Sequence, residues 1–152
     1  MTIDARLAEL GITLPDAPAP AANYVPFMIT GAHVYISGQI SQTAAGLTKG
    51  RLGDDLAVEQ GAAAARSCAI SILAQLKKAV GGDWGRVVRA VKLVGFVNST
   101  PDFTDQPKVI NGASDLMVAV MGDAGRHARS ALSAASLPLG VAVEIEAIFE
   151  IC

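Results

Sequence analysis

The stretch "GRHARSALSAASLPLGVAVEIEAIFEI", residues 125–151, decides the fold. Its second half alternates with period two. Val143, Ile145, Ala147, Phe149 and Ile151 fall on one face of an extended chain. Glu144, Glu146 and Glu150 share the other face with Ala142 and Ile148. Successive strand side chains point to opposite faces, so this pattern predicts a half-buried β-strand with all three acids on the solvent side. Its first half predicts another strand over Ala128–Ala135, with Arg129, Ala131 and Ser133 on one face. The run Leu137-Pro138-Leu139-Gly140 breaks the chain between them.

Upstream, the sequence alternates between strand and helix patterns. "VPFMITGAHVYISGQI" (25–40) reads as two strands around a Thr30-Gly31 turn, and residues 41–53 read as a loop. Val58, Ala62, Ala65, Ala69, Ile72, Leu76 and Val80 recur at steps of three and four, one face of a long helix. Asp54 or Asp55 is its expected cap, and Gly81-Gly82 ends it. Residues 85–99 form a third strand pattern. Residues 106–122 form a second long helix, with Pro107 in its first turn. At the start, Ile3–Leu10 reads as a short helix capped by Thr2, followed by a Pro/Ala connector over 13–22. The order helix, β, β, helix, β, helix, β, β predicts an α+β sheet with its helices on one face. The expectation is one domain over 1–152, led by a short helix and connector (1–22).

Bulk properties narrow the function classes. The 152 residues include 51% hydrophobic residues, enough for a packed core and against global disorder. A net charge of −2 with no Lys/Arg block lacks the electrostatic footprint of nucleic-acid binding. Two cysteines make no disulfide framework, which fits a reducing compartment. "MTIDARLAELG" has no apolar signal core, and no apolar run is long enough for a membrane span. The expectation is a soluble, cytoplasmic protein without a membrane partner. Mean hydropathy is +0.41 although aromatics make up only 5%. That aliphatic excess predicts burial against copies of the same chain.

Few motifs carry chemistry by themselves. The phosphate-cradling glycine loops and the G-x-S-x-G elbow are absent. His33 and His127 lie far apart without ligand spacing, and neither Cys68 nor Cys152 sits in C-x-x-C, so no metal is expected. Arg129 is the informative charge. Among apolar neighbours a guanidinium needs a partner, and its planar fork suits a carboxylate. Two readings stay open at this point. One is a salt bridge to Glu144 or Glu146 across the strand pair. The other is an anion site for a small carboxylate ligand.

The same residues carry a family likeness. "HARSALSAASLPLGVAVEIEAIFEI" resembles the C-terminal signature of the RidA (YjgF) family: an A-R-S-C/A strand, a Leu-Pro turn and V-E-I-E-A-I. "VYISGQI" (34–40) resembles that family's second strand. "ANYV" (22–25) lies where the family has its N-terminal tyrosine, and "VINGASDL" (109–116) resembles the segment with its asparagine. The order matches from Tyr24 to Ile151, and the N-terminal helix with "GRHARSA" resembles a longer branch.

The resemblance implies a chorismate-mutase-like α+β domain. It also implies a homotrimer with a central barrel, outer helices and clefts between subunits. Several members are enamine/imine deaminases that hydrolyse 2-imino acids to 2-keto acids and ammonia without cofactor or metal. Carried over by residue, Arg129 would grip the substrate carboxylate and Glu144 would position water. Tyr24 and Asn111 would line the cleft, and Ser37 and Gly38 would offer polar backbone to the ligand. Ala131 stands where many members have cysteine, so a thiol role is absent. The resemblance equally allows a non-catalytic trimer that binds small carboxylates or protects proteins. The ribonuclease activity also linked to the family lacks support in this acidic chain, which has no basic aromatic groove.

Overall fold

The structure, a computed structural model, describes residues 1–17 and 22–152. Of the connector read over 13–22, residues 18–21 lie outside the described residues. The chain runs α1 (Ile3–Glu9), β1 (Phe27–Thr30), β2 (His33–Ile40), β3 (Gln42–Thr43) and β4 (Gly46–Leu47). It continues through α2 (Val58–Ala79), β5 (Val87–Asn98), α3 (Gln106–Met121), β6 (Ala128–Ala134) and β7 (Val143–Ile151). The α+β reading holds, with α2 and α3 packed on one face of a five-stranded sheet.

The sheet order is β1-β2-β7-β5-β6. β7 lies antiparallel between β2 and β5, and β6 pairs parallel with β5 at the edge. α3 makes the crossover that a parallel pair requires. The period-two reading of β7 is realised. Val143, Ile145, Ala147, Phe149 and Ile151 are buried under the helices, whereas Glu144, Glu146 and Glu150 are not.

Two local expectations are corrected. Residues 41–53 are not all loop, because Gln42–Thr43 and Gly46–Leu47 pair as a small hairpin. Neither Asp54 nor Asp55 caps α2. Its N-cap is Ala57, whose N–H donates to Gln60 Oε1 at 2.8 Å, while Asp55 Oδ1 accepts from the Arg51 N–H. An alanine supplies no side-chain acceptor. The glutamine reaching back from the first turn satisfies the cap backbone instead.

Helices α2 and α3 touch at backbone distance. Gly112 of α3 has no room for a Cβ, because the Ala62 carbonyl of α2 occupies that space. α1 docks through Leu7, buried in the core, and Asp4, which accepts from Trp84 Nε1 and Lys77 Nζ. Among the described residues no helix is long and apolar enough to cross a membrane.

Candidate active site

Strand alternation in "HARSA" sends Arg129 toward the helix layer. It lies in register with Leu93 and, one strand further, with Ala147, both buried beneath the helices. There α3 presents Asn111 and Ser114, one turn apart on the same side of the helix. Arg129 Nη1 donates to Asn111 Oδ1 at 2.9 Å and to Ser114 Oγ at 3.2 Å, and Nη2 donates to the Pro107 carbonyl at 3.5 Å. Every one of these acceptors is neutral. Among the described residues Arg129 has no carboxylate partner. A guanidinium has five N–H groups. Nε–H and one Nη2 hydrogen therefore remain to donate to a carboxylate.

The salt bridge considered from sequence is not formed, and the sheet order explains why. β5 lies between β6 and β7, so Arg129 and the β7 acids are two strand spacings apart, about 10 Å. They also face opposite ways. Glu144 shares its row with Phe96 and Ile40, and Glu146 shares its row with Val94, on the face that carries no helix. Adjacent strands in sequence are not adjacent in space here.

Glu144 is half-buried above Gly38, where its carboxylate fills the space a Cβ would take. A side chain at 38 would therefore displace the Glu144 carboxylate. Burial, and then the neighbouring charge of Glu146, raises the Glu144 carboxyl above its ordinary value. No cation offsets this among the described residues.

The open face also holds a cavity of about 590 Å³ bounded by Tyr24, Met28, Tyr35, Val94, Glu146 and Ile148. Tyr24 is 56% exposed. Ser37 borders the cavity, but its polar atoms are engaged. Its N–H donates to the Pro26 carbonyl, and its hydroxyl donates to the Val25 carbonyl at 2.7 Å. It pins the Tyr24–Pro26 segment to β2. The six sequence-derived positions therefore divide. Arg129 and Asn111 meet at the α3–β6 seam. Tyr24, Ser37, Gly38 and Glu144 belong to the open-face side of the sheet.

Sequence reasoning passed over two neighbours of Arg129, Ser114 and His127. The Ser114 hydroxyl lies 2.9 Å from His127 Nε2, and His127 Nδ1 lies 2.6 Å from the Gly125 carbonyl. The spacing held the signal: Asn111 and Ser114 at i, i+3 on a helix, His127 and Arg129 at i, i+2 leading into a strand. Among the described residues no group of three His, Cys, Asp or Glu side chains could hold a metal ion.

The family described as "YjgF/chorismate mutase-like, putative endoribonuclease" matches residues 4–150. The chain belongs to the RidA/YjgF family. Protein TCP17 of Trypanosoma cruzi is 48% identical over 151 residues, covering 98% of this chain and 94% of that protein. A crystal structure of a protein of unknown function from Agrobacterium tumefaciens is also 48% identical. It covers 99% of this chain and 94% of its own, with a TM-score of 0.92. RidA from the Antarctic bacterium Psychrobacter sp. PAMC 21119 is 28% identical over 90% of this chain and 94% of its own, with a TM-score of 0.58. Within the RidA/YjgF family, this chain is thus nearer in shape to the Agrobacterium protein than to that RidA.

Proposed function

We propose that this protein is a cofactor-free cytoplasmic hydrolase that converts small 2-imino acids to 2-keto acids and ammonia. It would work as a homotrimer with its sites between subunits. The observation that carries this reading is Arg129: a cation held in place by neutral groups only, with a donor edge left over. A structural arginine would be expected to have its charge matched. This one is oriented but unmatched, the arrangement expected of a grip for a ligand carboxylate.

The chemistry needs little else. Arg129 fixes the substrate carboxylate and thereby aims the adjacent C=N carbon. Glu144 takes a proton from water as the hydroxyl oxygen bonds to that carbon. The same proton then passes to nitrogen to give a carbinolamine. Glu144 next carries the carbinolamine hydroxyl proton to that nitrogen, the C–N bond breaks as the C=O bond forms, and ammonia leaves with the keto acid behind. A carboxyl raised by burial is suited to accept and return that proton. Because Arg129 and Glu144 face opposite sides of one sheet, a neighbouring subunit is proposed to bring them to one cleft. The apolar open face, with Val25, Met28 and Tyr35 exposed, supports association of copies.

The test is a coupled assay. A threonine dehydratase generates 2-iminobutyrate in situ, and keto-acid release is followed with and without the protein. Release should accelerate with wild type. Glu144→Gln should lower the acceleration by about 10²-fold, the usual scale for a lost general base, and Glu146→Gln should lower it much less. Release no faster than the protein-free control would refute catalysis. Tight keto-acid binding without acceleration would leave a binding trimer.

A further inference from the structure

We infer that Ser114 and His127 are positioning residues that lock the Arg129 guanidinium so that its Nε/Nη2 edge faces the ligand carboxylate. This rests on the reading of Arg129 as the carboxylate grip and names the device that sets its aim. The hydrogen-bond directions follow from the acceptor types. A carbonyl can only accept, so the 2.6 Å contact to Gly125 places the His127 proton on Nδ1. In the neutral ring Nε2 is then an acceptor, and the Ser114 hydroxyl must donate to it across 2.9 Å. That donation turns a Ser114 lone pair toward Arg129 Nη1, 3.2 Å away. The result is a one-way chain: Arg129 donates to Ser114, Ser114 to His127, and His127 to the Gly125 carbonyl. Hydrogen bonds aligned in this way polarise and strengthen one another.

Both ends of the chain are fixed by packing. Gly125 is buried against α3 so closely that the Met117 carbonyl occupies the place of its Cβ. The carbonyl that orients His127 therefore cannot drift from the helix that carries Ser114. At the other end, Asn111 Oδ1 takes the second Nη1 hydrogen from the same helix face. With both Nη1 hydrogens engaged, the planar group cannot rotate, and the opposite edge is presented in one orientation. No charged side chain takes part except Arg129 itself, so the lock orients the cation without cancelling it.

The experiment uses 2-ketobutyrate as probe, with calorimetric affinity and melting temperature measured for Ser114→Ala, Ser114→Thr, His127→Phe, His127→Gln and Arg129→Ala. Nitrogen-15 NMR of the wild type reports the His127 tautomer and the rotation of the Arg129 guanidinium. Ser114→Ala should weaken the keto acid about tenfold, near the lower end for a hydrogen bond to a charged group, with little change in melting temperature. Ser114→Thr should restore it. His127→Phe should behave like Ser114→Ala, and His127→Gln, whose amide oxygen can accept from Ser114, should recover part of the loss. In wild type, His127 should carry its proton on Nδ1 and the Arg129 Nη signals should be resolved. A proton on Nε2 overturns the lock, whatever the variants do. Wild-type affinity in Ser114→Ala and His127→Phe, with Arg129→Ala weakened, overturns the lock and leaves Arg129 as the grip. Unchanged affinity in Arg129→Ala overturns both.

Discussion

Removing the Arg129 guanidinium separates a ligand-binding arginine from a structural one, and the structure sets the size of each effect. Arg129→Ala deletes three hydrogen bonds, to Asn111, Ser114 and Pro107. The partners are neutral, and those to Asn111 and Pro107 lie at solvent, so water can replace the lost donor. A net cost of about 1–2 kcal/mol follows from ordinary hydrogen-bond values. At roughly 3 °C per kcal/mol for a chain of this size, the melting temperature should fall by about 3–6 °C. A broken buried ion pair would instead cost about 3–5 kcal/mol, or roughly 9–15 °C. Ligand affinity should respond far more. Losing a charge-assisted contact in a partly desolvated cleft costs about 2–5 kcal/mol, a weakening of 30-fold or more. Arg129→Lys keeps the charge but loses the planar fork, so it should remain a poor binder. The assay pairs thermal melting at one protein concentration with calorimetry of 2-ketobutyrate or pyruvate. A fall above 10 °C with affinity intact would refute the argument and make Arg129 a structural residue.

Three further outcomes follow from other parts of the molecule. Because folding raises the Glu144 carboxyl, the folded chain binds more protons than the unfolded one above the ordinary value of 4.5, and stability falls as pH rises through that window. Glu144→Gln should therefore melt higher than wild type at neutral pH and converge with it below pH 4.5, checked by melting across pH; a lower neutral melting point would show a cationic partner at Glu144. Gly112→Ala forces a Cβ into the Ala62 carbonyl and should destabilise by about 1–3 kcal/mol, the range for overpacking, measured by urea unfolding. Sedimentation equilibrium at micromolar concentration should give about three chain masses, the closed cyclic assembly proposed above; a fully active monomer would contradict it.

Much of the fold was legible because burial writes its period into the chain. The five apolar β7 positions and the α2 stripe each gave a face, and the structure buries β7 on that face. The sheet order was harder. The short break at Leu137–Gly140 suggests that β6 and β7 are neighbours, and nothing in their composition denies it. The clue lay one element earlier. A strand, a long helix and another strand allow a parallel pair without requiring it, since β2 and β5 flank α2 yet are not neighbours. Here β6 does pair with β5, which inserts between β6 and β7. That insertion separates Arg129 from Glu144. The α2 start was misread because aspartates cap helices generally, whereas here Asp55 serves the Arg51 N–H. Arg129 was singled out as a charge among apolar neighbours and Asn111 from family likeness, and their meeting at the α3–β6 seam is visible only in three dimensions. Ser114 was missed because its signal, the i, i+3 spacing from Asn111, gains meaning only once Arg129 is known to lie against that helix face.

The opposite-face placement of Arg129 and Glu144 carries a genetic consequence. In the proposed trimer each cleft takes its arginine from one subunit and its glutamate from the next. An Arg129→Ala chain and a Glu144→Gln chain would each be inactive alone, yet neither would be recessive to the other in the usual sense. Whenever the two co-assemble, one junction around the ring joins an intact arginine to an intact glutamate. Random mixing in equal amounts would then return about a quarter of wild-type clefts, since three of four closed rings are mixed and each holds one good junction of three. Two defective alleles would complement within a single cell, and the defect would be a property of the ring rather than of the chain.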